Sequence, residues 1–248
     1  MLDLPVLTAS EVTDVPTAWP ITGHALLGHG VIQDFVRDGV ESPSGEVMVR
    51  DYLVHTGAVG VIAVDAEERV LVVRQYRHPV GFTLLEPPAG LLDVSGEGWL
   101  LAAQRELAEE AQVAASDWQV LVDQFNSPGC CQESLRIYLA RGLSPAPHPE
   151  GFVPDGEEAH MEVALVALDD LVDAILAGRC QNPTLVSGVL AAHTVLRGGR
   201  ADALRPADAP WPARDAKHAR DAALAGFAGR PDQADAGSET EPDAGQRG

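Results

Sequence analysis

GLLDVSGEGWLLAAQRELAEEAQV, residues 90–113, carries four glutamates: Glu97, Glu106, Glu109 and Glu110. Its first part is a loop to about Ser95, and the rest has the apolar spacing of a helix to about Gln112. At about 100° per residue, Leu100, Ala103, Leu107 and Ala111 form one narrow stripe that faces a core. Glu106 and Glu110 lie one turn apart on a neighbouring face, and Glu109 falls on the more exposed side. Like charges so placed repel, and the nearest cation, Arg105, points away from Glu110. Two readings stay open on these residues alone. They are a solvated acidic face, or a site for a hard divalent cation that prefers carboxylate oxygen and is completed by phosphate.

Working outward, "GAVGVIAVD" and "RVLVVRQYR" read as buried strands joined by a turn at "AEE". "DWQVLVDQF" and "SLRIYLARGL" are further strands around the loop "NSPGCCQE", and "MEVALVAL" is another. "DDLVDAILAGR" and "PTLVSGVLAAHTVLRGG" are helices, the first opening on an Asp pair and closing at Gly178. The expected organisation is a flexible N-terminus over 1–17 and a small β-unit over 18–55, too short to bury its own core. The main α+β domain follows over 56–200, then a C-terminal segment over 201–228, of which 208–222 could dock through Trp211. A tail over 229–248 has no large apolar residue and is expected to be disordered.

The formal net charge of −20 argues against a nucleic-acid partner, which needs clustered cations. It also requires that any phosphate ligand meet a metal ion or a local basic patch. Three cysteines, two of them adjacent (Cys130 and Cys131), form no disulfide framework and no CxxC zinc motif, which suggests reduced thiols in a cytoplasmic protein. No basic leader and no long apolar run point to secretion or a membrane.

The opening stretch resembles the Nudix box, G-x5-E-x7-R-E-U-x-E-E-x-G-U, where U is a bulky aliphatic residue. Gly90, Glu97, Arg105, Glu106, Leu107, Glu109, Glu110 and Val113 match in order. Two departures stand out. Six residues separate Gly90 from Glu97, as in actinobacterial ADP-ribose hydrolases of the family, and Gln112 replaces a glycine, so the helix exit is expected to differ locally. The resemblance implies an α+β Nudix fold, a mixed β-sheet sandwiched between helices. It implies Glu106, Glu110 and the Ala89 carbonyl as metal ligands and Glu109 as their catalytic support. Gly90, Glu97 and Arg105 would hold the box together structurally, with Glu97 paired to Arg105.

Other stretches resemble the ADP-ribose pyrophosphatase branch of the family. They are "EPPAGLLD", "QYRH" with Arg77, and "NSPGCCQES" with Pro128, Gly129 and Glu133. Arg77, Pro128, Gly129 and Glu133, with Arg50 in "VRDY", would contact substrate. Cys130 and Cys131 depart from the branch pattern and are expected to pack in the pocket wall rather than act in redox chemistry. In "DGEEAHMEV", Glu157 aligns best with the branch's mobile acidic residue, and Glu158 competes for that place. The implied activity is Mg²⁺-dependent hydrolysis of ADP-ribose to AMP and ribose 5-phosphate, with Mn²⁺ as the alternative ion. Two other readings are a broader nucleoside-diphosphate-sugar hydrolase and a non-catalytic Nudix-fold module, which typically loses box glutamates. The branch also implies a symmetric homodimer built through the N-terminal β-unit, with Trp19 as a candidate aromatic surface.

Overall fold

The computed structural model describes residues 2, 4–149, 151–152 and 160–227. It divides into two compact units, one spanning Val54–Pro210 and one joining Met1–Leu53 to the chain from Trp211. The latter begins with a sheet ordered β1 (Ile21–His29), β2 (Asp34–Glu41) and β3 (Val47–Val54), β1 and β2 being antiparallel.

In the larger unit, β4 (Ala58–Ala63) is buried along its whole length, as a near-continuous apolar run requires. β5 (Arg69–Arg77), β6 (Phe82–Glu86) and β7 (Ala89–Leu91) lead into helix α1 (Trp99–Ala111). The long strands β8 (Val113–Phe125) and β9 (Ser134–Pro145) follow, then β10 (Glu162–Ala167), α2 (Leu168–Leu176), α3 (Pro183–Arg197) and the short β11 (Arg205–Pro206). Two sheets result, β10-β5-β6 and β11-β8-β9-β4-β7. β4 and β9 are parallel, whereas β4 with β7 and β8 with β9 are antiparallel. The fold is therefore α+β with a mixed central sheet.

Alternation along β4 divides the core. Val59, Val61 and Ala63 pack with Ala102, Ala103 and Leu107 of α1, while Ile62 packs with Leu171, Leu185 and Val189 of α2 and α3. Each Val, Leu or Ile side chain so buried contributes about 1.5–3 kcal/mol relative to exposure, which makes the twice-covered β4 the anchor of the sheet. Asn182 caps α3 by accepting from the Leu185 N–H at 2.9 Å, with Pro183 in the first turn. Arg136 of β9 is fully buried, pairs with Asp123 of β8 at 2.8 Å and donates to the carbonyls of Ala209 and Pro210. It thereby ties the segment after β11 to the sheet.

The region from Trp211 continues as helix α4 (Pro212–Ala225) within the smaller unit. Its Arg220 donates to Asp38 of β2 at 2.8 Å and lies 4.5 Å over the Tyr52 ring of β3. Asp38 is fully buried, accepts from the Tyr52 hydroxyl at 3.0 Å and pairs with His24 at 2.7 Å. Burial, with the Asp38 charge adding to it, raises the Tyr52 phenol far above its ordinary range.

Helix α1 corrects two expectations. It starts at Trp99 rather than just after Ser95, because Gly96 has a positive φ of 80° and Gly98 is extended as N-cap. The helix exit does not depart from a glycine-type ending. Gln112 itself takes the left-handed conformation, φ 52° and ψ 41°, with its N–H directed to the Leu107 and Ala108 carbonyls. A residue with a Cβ costs about 1–2 kcal/mol there. Gln112→Gly is expected to raise stability by about 0.5–1 kcal/mol after the extra entropy of the unfolded glycine, read as a higher Tm by calorimetry. A lower Tm would mean that Gln112 side-chain contacts outweigh the strain.

Candidate active site

The site is built where α1 crosses β7. A Cβ added to Gly90 would lie 2.0 Å from the Glu106 carboxyl carbon and 2.0 Å from its Oε1. Glu106 thus rests directly on the strand backbone, and only glycine leaves room for it. One turn further along α1, Glu110 accepts a hydrogen bond from the Ala89 N–H at 3.2 Å. Two carboxylates of one helix face are thereby drawn onto two consecutive residues of one strand. β7 itself is held by β4, where Val59 stands opposite Gly90 and Gly60 opposite Ala89.

Arg105 organises the remaining glutamates. Its Nε and Nη2 each donate to a separate oxygen of Glu97 at 3.0 Å, a bidentate pair. Its Nη1 donates to Glu106 at 2.6 Å and to Glu109 at 2.8 Å. The hydrogen bond to Glu97, followed by Glu106 and Glu109, raises the proton affinity of Arg105 well above that of an ordinary arginine, while burial opposes it. Glu109 is not on an exposed side: its side chain is 14% exposed against 12% for Glu106, because the guanidinium draws both inward. Repulsion along the helix is therefore offset by a cation from the helix itself.

Among the described residues, no three His, Cys, Asp or Glu side chains close around a common point, since Glu106 and Glu109 turn to Arg105 and Glu110 to β7. The donor set still suits a hard divalent cation. It offers three carboxylates over two successive turns, a strand backbone alongside them, and the room over Gly90 that lets Glu106 approach.

The other sequence candidates fall in several places. Arg77 lies at the end of β5 and donates to both oxygens of Glu86, at 3.0 and 2.7 Å. Glu86 is buried, and Arg77 is 42% exposed. In the loop between β8 and β9, the Cys130 and Cys131 N–H groups both bond the Ser127 carbonyl, which shapes the turn holding Pro128 and Gly129. Cys130 is exposed rather than packed in a wall, and burial pushes the Cys131 thiol up, which disfavours a reactive thiolate. Glu133, at the end of the loop, accepts from Asn126 Nδ2 at 2.8 Å and lies 3.8 Å from His55 Nε2. Arg50 belongs to β3 of the smaller unit, where it donates to the Val49 carbonyl at 2.8 Å. Glu157 and Glu158 lie outside the described residues.

Residues 54–183, more than half of the chain, match the NUDIX domain family. The chain belongs to the Nudix hydrolase family. It is 42% identical over 182 residues to an ADP-ribose pyrophosphatase of Mycobacterium tuberculosis, a match covering 73% of this chain and 86% of that one. It is 33% identical to a methanol dehydrogenase activator of Bacillus methanolicus, over 61% of this chain and 80% of the relative. An ADP-ribose pyrophosphatase of Bacillus subtilis is also 33% identical, over 59% and 77% respectively. Among solved structures, an ADP compounds hydrolase superposes with a TM-score of 0.62 at 21% identity, covering 76% of this chain and 99% of that one, a likeness of fold.

Members of the Nudix family generally use divalent metal ions, which agrees with the oxygen-rich donor set of α1. Sequence reasoning missed Glu86, His55 and Asn126 as partners of the candidate residues. Glu86 opens the "EPPAGLLD" stretch, and a carboxylate inside an apolar strand was a signal for it. Asn126 opens the quoted NSPGCCQES loop seven residues before Glu133, which was a signal for it, whereas His55 gave none, since it meets Glu133 only through the β4–β9 pairing.

Gly90→Ala would push its methyl into the Glu106 carboxylate, the mobile end of a side chain, so the fold should survive with a native circular dichroism spectrum. A shift of about 1 Å in a reacting group can cost about 100-fold in rate, and a loss of that order in nucleotide hydrolysis is expected. Wild-type turnover in a folded Gly90→Ala protein would show that the seat on Gly90 is dispensable.

Proposed function

We propose that this enzyme hydrolyses the pyrophosphate of ADP-ribose to AMP and ribose 5-phosphate with Mg²⁺, Mn²⁺ serving as the alternative ion. The observation that carries the proposal is the convergence of Glu106 and Glu110 on the Ala89–Gly90 backbone. Similarity to two ADP-ribose pyrophosphatases supports the substrate. Glu106, Glu110 and the Ala89 carbonyl would hold the metal, and Glu109 would back them. A bound divalent cation neutralises pyrophosphate charge and lowers the pKa of water.

The protein side chains divide the remaining work. Arg77 and Arg50 would neutralise and orient the anionic substrate, and Glu133 would accept hydrogen bonds from its sugar hydroxyls, with Pro128 and Gly129 shaping that loop. Hydrolysis adds one water across the P–O–P bridge, and Glu157, with Glu158 as competitor, would take the proton of the attacking water. Arg105, braced by Glu97, keeps the acidic face in register over Gly90.

The broader nucleoside-diphosphate-sugar reading has one observation in its favour. Cys130 and Cys131 depart from the branch pattern in the loop that leads to Glu133, and Cys130 faces solvent. A cytoplasmic homodimer is the proposed working state, supported by exposed apolar residues on the N-terminal sheet (Leu26, Leu27, Phe35, Val47 and Val49). Nucleic acid is not a proposed partner, in keeping with the net charge of −20. Nor is a membrane, and among the described residues no helix is long and apolar enough to cross one.

Incubation with ADP-ribose and a panel of nucleoside-diphosphate sugars should show Mg²⁺-dependent release of AMP fastest from ADP-ribose. EDTA or Glu110→Gln should abolish it, and activity surviving both would overturn the metal-dependent mechanism. Glu157→Gln should lower kcat by about 100-fold or more without a change in Tm. If only Glu158→Gln does so, the general base is Glu158.

A further inference from the structure

Beyond the residues already given roles, a buried histidine stands at the same end of the central sheet as Glu133. β4 and β9 run parallel with Ala58 beside Leu135, so the residues just before each strand, His55 and Glu133, come together. On the other side of β4, Val59 faces Gly90, which puts this end of β9 a few residues from the seat of Glu106. His55 is 6% exposed. Its Nδ1 accepts a hydrogen bond from the Gly57 N–H at 2.9 Å, so Nδ1 carries no proton. In the neutral ring the proton is then on Nε2, the nitrogen that faces Glu133 Oε1 at 3.8 Å. That separation exceeds a hydrogen bond but lies within ion-pair range.

The other oxygen of Glu133 is held by Asn126 Nδ2 at 2.8 Å, and Asn126 is itself held by Gln124 Nε2 at 2.7 Å. Glu133 is thus gripped at one oxygen and faced by an N–H dipole at the other. Next to it in the chain, Gln132 Nε2 and Ser134 Oγ are buried and have no hydrogen-bond partner among the described residues. Buried polar atoms in that condition mark a place where water or a ligand completes the set.

We infer that His55 is a positioning residue. Locked as the Nε2–H tautomer by Gly57, it orients the Glu133 carboxylate to receive the hydroxyls of the sugar beyond the pyrophosphate. This rests on the ADP-ribose reading only for the identity of that sugar. The pairing of His55 with Glu133 is independent of it.

The experiment separates the two. On the full chain, imidazole ¹⁵N shifts near neutral pH should show an unprotonated Nδ1 and a protonated Nε2, and Glu133→Gln should move the Nε2 signal. An Nδ1–H tautomer, or an Nε2 signal indifferent to Glu133→Gln, would overturn the inference whatever the substrate. In kinetics with ADP-ribose, His55→Gln keeps a donor at the Nε2 position, whereas His55→Asn keeps only the acceptor for Gly57. His55→Asn should raise KM about tenfold with kcat little changed, and His55→Gln should restore it towards wild type. The double variant His55→Asn/Glu133→Gln should be no worse than Glu133→Gln alone. The opposite ranking, with His55→Asn normal and His55→Gln impaired, would reduce His55 to a cap for Gly57 and overturn the inference. If the wild type ignores ADP-ribose while the ¹⁵N arm holds, the substrate reading fails and the positioning of Glu133 by His55 stands.

Discussion

The absence of a side chain at Gly90 is the constraint on which the site depends. It lets α1 come down on β7 until the Glu106 carboxylate rests on the strand backbone. β7 can serve as that floor because it is bonded to β4, and β4 is immobilised by apolar packing on both faces. The acidic face of α1 is therefore held by the same packing that holds the core, Ala102, Ala103 and Leu107 being fully buried beneath it. Precision at the carboxylates comes from rigid elements rather than from a loop.

Charge is the second theme. A chain with a net charge of −20 must place its few cations with economy, and several arginines sit against carboxylates in bidentate or branched pairs. Arg105 takes Glu97, Glu106 and Glu109, Arg136 takes Asp123, and Arg77 takes Glu86. Arg136 is buried and far more structural than its polar identity suggests, since it joins β8, β9 and the segment after β11. Arg77 is part-exposed, so the guanidinium proposed to meet substrate is held by a buried acid while much of it still faces solvent. The same economy recurs in the smaller unit, where buried Asp38 gathers His24, Tyr52 and Arg220.

Much of the fold was legible because its signals are local. Alternating or continuous β-branched runs marked β4, β5, β8 and β9, and the spacing from Gly90 to Val113 pointed to the family. The start of α1 was displaced by two glycines whose backbone angles the residue pattern does not show, and Gln112 adopted a left-handed angle that its side chain disfavours. The helix's own closing hydrogen bonds to Leu107 and Ala108 outweigh residue preference at that point. Helix α4 is legible only as a segment able to dock, because its alanine-rich, charged sequence has no clear apolar stripe, and Arg220 ties it to Asp38 of the sheet through a contact far apart in sequence.

By itself, the sequence determined the long strands and helices of the main domain, the carboxylate-bearing helix and the glycine that faces it, because each is written in residues close together along the chain. Tertiary structure decided which of those charges meet. That Glu110 turns to the Ala89 N–H depends on α1 packing down on β7, and that His55 faces Glu133 depends on β4 and β9, far apart in sequence, being brought level in one sheet. Hydrogen-bond register, rather than composition, sets those distances, and no residue pattern records it.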